Sequence, residues 1–433
     1  MTDASVNLWG RRIGAVSWDA GRGLGVFQYD PEFLSVGIEV SPMAMPVREA
    51  PYAFPALGEA FTGLPGLLAD ALPDSFGHRL IDVWLAETGR RLEDFSPVDR
   101  LCYIGKRGVG ALEFEPALRS GNGGEVEVAQ LVDLANRVLG ERGRLAGRLD
   151  SGGEGGALED ILRVGTSAGG ARAKAVLAWN PATGEFRSGQ VDAEAGFEHW
   201  ILKFDGVSNN RDRELADPRG YGRIEYAYHL MAREAGIEMS ECRLHHEGGR
   251  SHFMTRRFDR DTKGRKIHMQ SLAALRHFDY NLPNAYAYEQ AVETIRRLGL
   301  GMGVVEEQYR RAVFNVVARN QDDHVKNIAF LMNRSGMWRL SPAYDVAYAY
   351  NPQGLWTGQH QMSLAGKRDG FERADLRSFA ETSGLRVPAA SRVVDRVLAA
   401  VGHWRRFASE AGVEEGDAGR IAKTHRLDLG RRM

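Results

Sequence analysis

A chain of 433 residues is too long for one ordinary core and predicts two or three lobes. Hydrophobic residues make up 43% and charged residues 26%, as in a soluble globular protein, and the formal net charge of -1 argues against nucleic-acid binding through bulk charge. Two distant cysteines, Cys102 and Cys242, exclude a disulfide framework and a zinc knuckle. No secretory signal and no apolar run of roughly 20 residues is evident, so we expect a cytoplasmic protein.

The first third of the chain begins with strands. Short apolar or aromatic runs at 6–9, 14–18 and 25–29, broken by Gly, Asp and Arg, predict a small antiparallel sheet. A helix near 79–85 and a strand at 111–114 follow. Further helical spacing is carried by Val128, Leu131, Val132, Ala135, Val138 and Leu139. The stretch 140–156, rich in Gly, Arg and Asp, predicts a linker or loop.

The rest of the chain changes from mixed to helical. Strands are predicted at 173–179, 200–204 and 252–257, around an amphipathic helix that ends at Gly236. The apolar face of that helix is formed by Ile224, Ala227, Tyr228, Met231 and Ala235. From residue 285 onward the spacing is mainly helical, interrupted by a strand pair at 328–332 and 338–340. This order predicts an α+β fold with a sheet lobe, a helical lobe and a ligand cleft between them.

The densest group of reactive side chains is the sequence ARNQDDHVKNIAFL at 318–331, where a helix ends and a strand begins. Asp322 could orient a hydroxyl and accept its proton, and Asn327 could offer an amide oxygen to a metal ion. Lys326 could neutralise a transferring phosphoryl group. An Asp followed by an Asn flanks the reacting phosphate in phosphoryl-transfer loops. The alternative is a solvated turn with local caps, but capping one helix does not require so many charged groups.

A second carboxylate follows one hairpin later, in RLSPAYDVAYAY at 339–350. Asp345 lies 18 residues after Asn327, where a second metal ligand is expected. Without that context it would be read as an ordinary turn aspartate.

Two further segments suit phosphate binding. The sequence GTSAGGARAKA at 165–175 has small residues that let backbone N–H groups approach an anion, although it matches no Walker or dinucleotide motif and a plain turn is equally compatible. Lys203 lies inside an apolar strand and needs a partner, such as nucleotide phosphates or the carboxylate of Glu225. The alternative is a lysine that points to solvent from an edge strand.

In their order along the chain these segments resemble the HipA-like kinases of bacterial toxin–antitoxin modules. The motifs are GLLADALPDSFG at 66–77, SAGGARAK at 167–174, WILKF at 200–204, RRFDR at 256–260, NQDDHVKN at 320–327 and LSPAYDV at 340–346. The resemblance implies a two-lobed protein-kinase-like fold related to lipid kinases, with an extra N-terminal β-rich subdomain. We expect that subdomain at 1–115, a β-rich kinase lobe at 116–258 and a mainly helical lobe at 259–433.

The resemblance also implies ATP and Mg2+ as cofactors and assigns roles to individual residues. Asp322 and Lys326 match the catalytic pair, and Asn327 and Asp345 match the magnesium ligands. Ser167 matches a loop serine whose autophosphorylation switches activity off. The nucleotide contacts it implies are Ser167, Ala168, Gly169, Gly170, Ala171, Arg172, Lys174, Lys203, Met254, Arg256, Phe258 and His324, with 254–258 as the hinge beside adenine. Ala173 and Arg256 depart from the residues found at their positions in some members.

The partners that the resemblance implies are a protein substrate, often an aminoacyl-tRNA synthetase, and a small helix-turn-helix antitoxin that carries most of the DNA contact. No membrane partner is expected. Two rival functions remain open on sequence grounds. One is a metal-dependent phosphoesterase that uses Asp322, Asp323, His324 and Asp345, and the other is a pseudokinase that only binds nucleotide and a partner.

Overall fold

The computed structural model describes residues 3–87, 89–118, 172–189, 195–207 and 219–430, and four positions between the second and third of these ranges. Those four, Val128, Leu131, Val132 and Ala135, are helical and buried. This confirms the helical spacing predicted for them. Val138 and Leu139, the expected linker at 140–156 and the loop at 165–171 lie outside the described residues.

The N-terminal part is an antiparallel sheet covered by short helices. Its strands have the order β3-β2-β1-β4, and their bounds are Asp3–Leu8 (β1), Arg11–Asp19 (β2), Leu24–Tyr29 (β3) and Leu112–Glu115 (β4). Alternate residues of β1 are buried, as in a sheet with one face on a core. The helices are Gly66–Ala69 (α1), Ser75–Glu87 (α2) and Pro97–Ile104 (α3), the last with a capping box between Ser96 and Asp99.

The middle part is a five-stranded antiparallel sheet with one long helix. The strand order is β6-β5-β7-β9-β8, with bounds Lys174–Trp179 (β5), Phe186–Ser188 (β6), Glu198–Lys203 (β7), Cys242–Glu247 (β8) and Arg250–Arg256 (β9). Helix α4, Tyr221–Glu234, packs on β9. Gly222 permits this approach, because a Cβ there would lie 2.2 Å from the Ser251 carbonyl oxygen. Gly236, with φ of 89°, ends the helix as predicted.

The C-terminal part is mainly helical and holds the largest apolar core. Its helices are Leu272–Arg276 (α5), Tyr288–Arg297 (α6), Met302–Ala318 (α7), Arg373–Thr382 (α8), Val387–Gly402 (α9), Trp404–Glu410 (α10) and Glu415–Ala422 (α11). A small sheet of order β10-β12-β13 comprises His268–Ser271, Ala329–Met332 and Trp338–Leu340. Tyr286–Ala287 (β11) and Met362–Ser363 (β14) form a parallel pair. Helix α4 contributes to the same core, which joins the sheet lobe to the helical lobe.

The N-terminal part contacts both lobes. Phe76 and Leu80 of α2 share a buried cluster with Trp200, Leu202 and Met254 of the five-stranded sheet. Helix α1 packs against α5 of the helical lobe. The segment between α1 and α2 therefore crosses from one lobe to the other. Among the helices that the structure describes, not one combines the length and apolar character that crossing a membrane requires.

Candidate active site

The loop at 319–327 is fixed by its second aspartate. Helix α7 ends where Arg319 takes a left-handed conformation, with φ of 57°. Asp323 then accepts hydrogen bonds from the Tyr288 hydroxyl (2.6 Å), His360 Nδ1 (2.7 Å) and the Gln361 amide (2.8 Å). Burial would raise the pKa of Asp323, but His360 and these hydrogen bonds outweigh burial and lower it. Asp323 thus acts as a buried anchor for the loop that carries its reactive neighbours.

Asp322 and Asn327 are held together within this loop. The Asn327 side-chain amide donates to the Asp322 carbonyl oxygen at 2.9 Å, which leaves the amide oxygen of Asn327 as its metal-binding atom. The Asp322 side chain is about half exposed, and its carboxylate lies 3.7 Å from His324 Nε2. His324, Asn327 and Asp345 line one cavity that opens to solvent.

Lys203 connects the sheet lobe to this cavity. Its ammonium donates to Glu225 of α4 at 2.6 Å and also to Asp345. The contact with Glu225 was expected from the sequence, and the edge-strand alternative is excluded because β7 lies in the centre of its sheet. Asp345 has a φ of 52°, a left-handed conformation that Asp adopts more readily than most residues. That backbone turn aims its carboxylate at Lys203.

The charges in this group depend on one another. Burial would raise the pKa of Asp345, but Lys203 and then Lys174 outweigh burial, and they hold the pKa well below its usual value. Burial would lower the pKa of Lys203, but Asp345 and Glu225 outweigh it and raise the pKa. The site therefore presents a carboxylate and an ammonium in their charged forms, as a site for a metal ion and phosphates requires.

Three more cations surround the site. Lys174 lies 3.3 Å from Asp74, a residue of the N-terminal part. The guanidinium of Arg172 lies 3.7 Å from Glu225 and stacks over the Tyr221 ring at 3.3 Å.

The ammonium of Lys326, the third cation, lies 4.8 Å from the centre of the Tyr280 ring. Its carbonyl oxygen accepts from the Tyr344 hydroxyl at 2.6 Å. That bond ties the loop of Asp322 to the neighbour of Asp345.

Two of the expected hinge residues have side chains on the opposite face of the sheet from Lys203. Met254 pairs with Leu202, whereas Lys203 pairs with Phe253, so Met254 lies on the opposite face of the sheet from Lys203. There it is buried with Leu202 in the cluster under α2.

Arg256 shares the face of Met254 and pairs with Glu198 (3.2 Å) and Glu241 (3.6 Å). Contact of Met254 and Arg256 with the nucleotide stays a prediction, and on this geometry it would be made by their main chain. Phe258, by contrast, packs against Tyr344 at 5.4 Å and remains compatible with the site.

The remaining expected contacts, Ser167, Ala168, Gly169, Gly170 and Ala171, lie outside the described residues. Conversely, sequence reasoning missed Asp70 and Asp74, which reach the site from the N-terminal part. Asp74 contacts Lys174, and the charge of Lys326 acts on both aspartates. The motif GLLADALPDSFG was noticed, but Pro and Gly break its periodicity, so spacing could not place its carboxylates. The signal that could have found them is two aspartates in an otherwise apolar segment.

The donor set fits magnesium held together with a nucleotide. Asn327 and Asp345 supply one amide oxygen and one carboxylate, and Mg2+ commonly takes its other ligands from water and phosphate oxygens. Within the described residues, no group of three or more His, Cys, Asp and Glu side chains is placed to hold a metal ion by itself. The lysines beside these ligands would meet phosphate oxygens rather than a second metal.

Two family models match the chain: HipA-like C-terminal domain at residues 166–405 and HipA N-terminal domain at residues 4–115. The solved complex of Shewanella oneidensis MR-1 HipA with HipB and operator DNA is similar in fold, with a TM-score of 0.66 and 18% identity over 99% of this chain and 96% of that chain. This confirms the predicted α+β, two-lobed, kinase-like fold with an additional N-terminal β-rich part.

A weaker likeness, to the Helicobacter pylori proinflammatory kinase CtkA, has 12% identity over 60% of this chain and 91% of that chain. Its TM-score of 0.38 is too low to carry an argument. Comparison with curated proteins gave no significant match.

Proposed function

Because the chain belongs to the HipA family, we propose that it is an ATP-dependent serine/threonine protein kinase. The observation that carries the proposal is the position of Lys203. It contacts Glu225 and Asp345 together, and Asp345 shares a cavity with Asn327. A lysine paired with a helix carboxylate, beside an aspartate and an asparagine on two loops, is the arrangement by which kinases hold Mg·ATP.

In the proposed reaction each residue has a separate task. Asn327 and Asp345 would hold magnesium, which neutralises charge on the phosphates. Lys203 would contact phosphate oxygens while Glu225 keeps it in position. Asp322 would orient the hydroxyl of a Ser or Thr and take its proton. The hydroxyl oxygen forms the new bond to the γ-phosphorus, and the bond from that phosphorus to the β–γ bridging oxygen breaks, releasing ADP.

Lys326 would neutralise the transferring phosphoryl group. Its ammonium lies over the Tyr280 ring, and the bond from Tyr344 to its carbonyl oxygen fixes its backbone. Positioning and charge neutralisation supply most of the rate in such reactions, so these supporting contacts matter as much as the reacting groups.

The toxin function is part of the same proposal. By analogy with the family, the kinase would phosphorylate a host protein, with an aminoacyl-tRNA synthetase as one candidate, and arrest growth. Ser167 would be the autophosphorylation site. A helix-turn-helix antitoxin would carry most of the DNA contact, in agreement with the near-neutral charge of this chain. The Shewanella protein was solved with HipB and operator DNA, which supports an antitoxin of that kind.

The phosphoesterase alternative is weakened by the surroundings of Asp323. It requires Asp323 as a metal ligand, but both oxygens of this carboxylate already accept hydrogen bonds inside the protein. The pseudokinase alternative differs from the proposal only in activity, so the test must separate binding from transfer.

The test is phosphate transfer from radiolabelled ATP to proteins of a cell lysate, followed by mapping of the labelled sites. We expect Asp322→Ala to reduce transfer by at least about a hundredfold, because general-base loss costs that much, while ATP binding stays nearly intact. The matched control is Asp428→Ala, at an exposed aspartate, which should transfer like wild type. Equal labelling by wild type and Asp322→Ala would refute the kinase assignment, and ATP binding without any transfer would favour a pseudokinase.

A further inference from the structure

The segment that crosses between the lobes, Gly66–Gly77, has no part in the reaction described above. It contains α1, a turn and the start of α2, and we call it the bridging segment. Its two carboxylates, Asp70 and Asp74, point inward, and only 3% of the Asp74 side chain is exposed. A carboxylate removed from water is costly unless it is paired, so Asp70 and Asp74 each need a hydrogen-bond or ion-pair partner.

The first carboxylate fastens the bridging segment to the helical lobe. Asp70 accepts from the Ser271 amide at 2.6 Å and from its hydroxyl at 2.8 Å. The same Ser271 hydroxyl caps α5 by accepting from Ala274. Gly66 adds a bond from its amide to His277 Nε2 at 3.0 Å, and a Cβ at Gly66 would lie 2.5 Å from the Ala274 carbonyl oxygen. This end of the segment is therefore fixed to the lobe that carries Asp322.

The second carboxylate fastens the segment to the sheet lobe. One oxygen of Asp74 accepts from the Gly77 amide at 2.7 Å and so caps the start of α2. The other lies 3.3 Å from the Lys174 ammonium, and each of the two side chains is only 3% exposed. Lys174 is the first residue of β5, directly after the loop expected to cover the phosphates.

Lys174 and Lys203 are opposite each other on neighbouring strands. They are register partners of β5 and β7, so both side chains lie on the same face of the sheet. Like charges in this position repel each other. Glu225 and Asp345 compensate Lys203, whereas Asp74 compensates Lys174 from a different part of the chain. The positive charge of Lys174 also lowers the pKa of Asp345, so Lys174 lies near the proposed phosphate site.

From these contacts we infer that Asp74 is a positioning residue for the nucleotide. It holds Lys174 in place for the triphosphate, and through Lys174 it fixes β5. Asp70 and Ser271 anchor the same segment to the opposite lobe, so the N-terminal part links β5 to the lobe that carries Asp322. The inference rests on the proposed nucleotide binding and adds a residue from outside the two kinase lobes.

The pairing of Asp74 with Lys174 predicts a pH dependence of nucleotide affinity that a purely structural contact would not produce. Burial raises the pKa of Asp74 to about 6, although Lys174, the Gly77 amide and Lys326 lower it. Above that pH Asp74 is a carboxylate and balances Lys174. As the pH falls through about 6, Asp74 takes up a proton and its charge no longer balances that of Lys174, so nucleotide affinity should fall.

The experiment measures binding of Mg·AMP-PNP by calorimetry from pH 7.5 to pH 5.5. Asp74→Asn keeps an oxygen for the Gly77 amide but removes the charge. We expect its affinity at pH 7.5 to be about tenfold weaker than that of wild type, with a flatter pH profile below 6.5. The control is Asp82→Asn, also on α2, whose carboxylate pairs with Arg100 and is 39% exposed. It should bind like wild type at every pH.

A second variant keeps the inference testable if Asp74→Asn does not fold. Lys174→Met should show the same weakening and the same flattened profile. The double variant should bind no more weakly than Lys174→Met alone, since residues that act through each other are not additive. Wild-type affinity in Lys174→Met, or in folded Asp74→Asn, would overturn the inference and leave the kinase proposal standing. No binding of Mg·AMP-PNP by wild type would instead refute the proposed function.

Discussion

At the scale of single residues, the site is organised around the ammonium of Lys203. Lys203 was predicted from its place in an apolar strand, and Glu225 was predicted as its partner, because a buried ammonium needs a carboxylate. The direct contact with Asp345 was not predicted. Residues 142 positions apart meet only after two lobes have folded, and no local pattern encodes that distance.

The corresponding prediction concerns Lys203→Met, a substitution that keeps most of the side chain's apolar length but removes its charge. We expect binding of Mg·AMP-PNP to weaken by about thirtyfold, or about 2 kcal/mol, because a charged hydrogen-bond donor to the phosphates is lost. Calorimetry measures the affinity. Lys423→Met, at an exposed lysine of the helical lobe, serves as the control. If Lys203→Met bound as tightly as wild type, Lys203 would have no role in nucleotide binding.

At the scale of elements, the connection after β9 is tied to the N-terminal part by a buried carboxylate. Asp259 accepts from both Arg257 and Arg260, and from the Gly110 amide at 2.8 Å. Burial would raise the pKa of Asp259, but the two guanidinium groups outweigh it and hold the pKa far below its usual value. Asp259 and its two arginines therefore join the sheet lobe to the loop before β4.

We expect Asp259→Ala to lower the free energy of unfolding by about 3 kcal/mol, because it leaves two buried guanidinium groups without their carboxylate. Asp261→Ala, two residues further on in an exposed turn, should cost less than about 1 kcal/mol. Urea unfolding followed by circular dichroism gives both values. Similar losses in the two variants would mean that the cluster around Asp259 adds no stability of its own.

Elements were predictable wherever the pattern of apolar residues was strong. Observed bounds agree closely with the predicted ones for the N-terminal strands β1, β2 and β3, for β5, β7 and β9 of the middle sheet, and for helix α4. Strands β8 and β10 were not predicted, since their sequences CRLHHE and HMQS lack apolar alternation. They are strands because neighbouring strands offer them hydrogen bonds, a tertiary effect that overrides local propensity.

At the scale of the whole molecule, the succession of lobes followed from the sequence, but the role of the N-terminal part in the site did not. Asp74 and Lys174 are 100 residues apart, and each appears in a motif that was noticed for other reasons. Their pairing depends on how α1 and α2 pass between the lobes. The distance between lobes is set by packing, which periodicity cannot report.

Buried histidines make the molecule sensitive to acid as a whole. Burial lowers the pKa to about 4 for His78, His199, His229, His252, His268 and His277. These groups gain protons near pH 6.5 when the chain unfolds, but only near pH 4 when it is folded. Their contribution to stability is therefore complete above about pH 6.5 and is lost as the pH falls toward 4.

His268 allows a specific test, because its side chain is fully buried and bonds to the Val40 carbonyl oxygen. In wild type it should account for about 2 kcal/mol of the stability lost between pH 7.5 and pH 5.0. His268→Gln should show a correspondingly smaller loss in urea unfolding. An unchanged pH dependence in His268→Gln would show that this histidine does not titrate on unfolding.

The most direct test of the account is binding of Mn2+, a spectroscopic substitute for Mg2+, followed by electron paramagnetic resonance with and without AMP-PNP. In wild type we expect tight Mn2+ binding only with the nucleotide present, because Asn327 and Asp345 supply too few ligands alone. Asp345→Asn and Asn327→Ala should each weaken it by at least about tenfold, while Asp322→Ala should not. Mn2+ affinity that is the same with and without the nucleotide, or the same in Asp345→Asn as in wild type, would contradict the assignment of these loops to a shared Mg·ATP site.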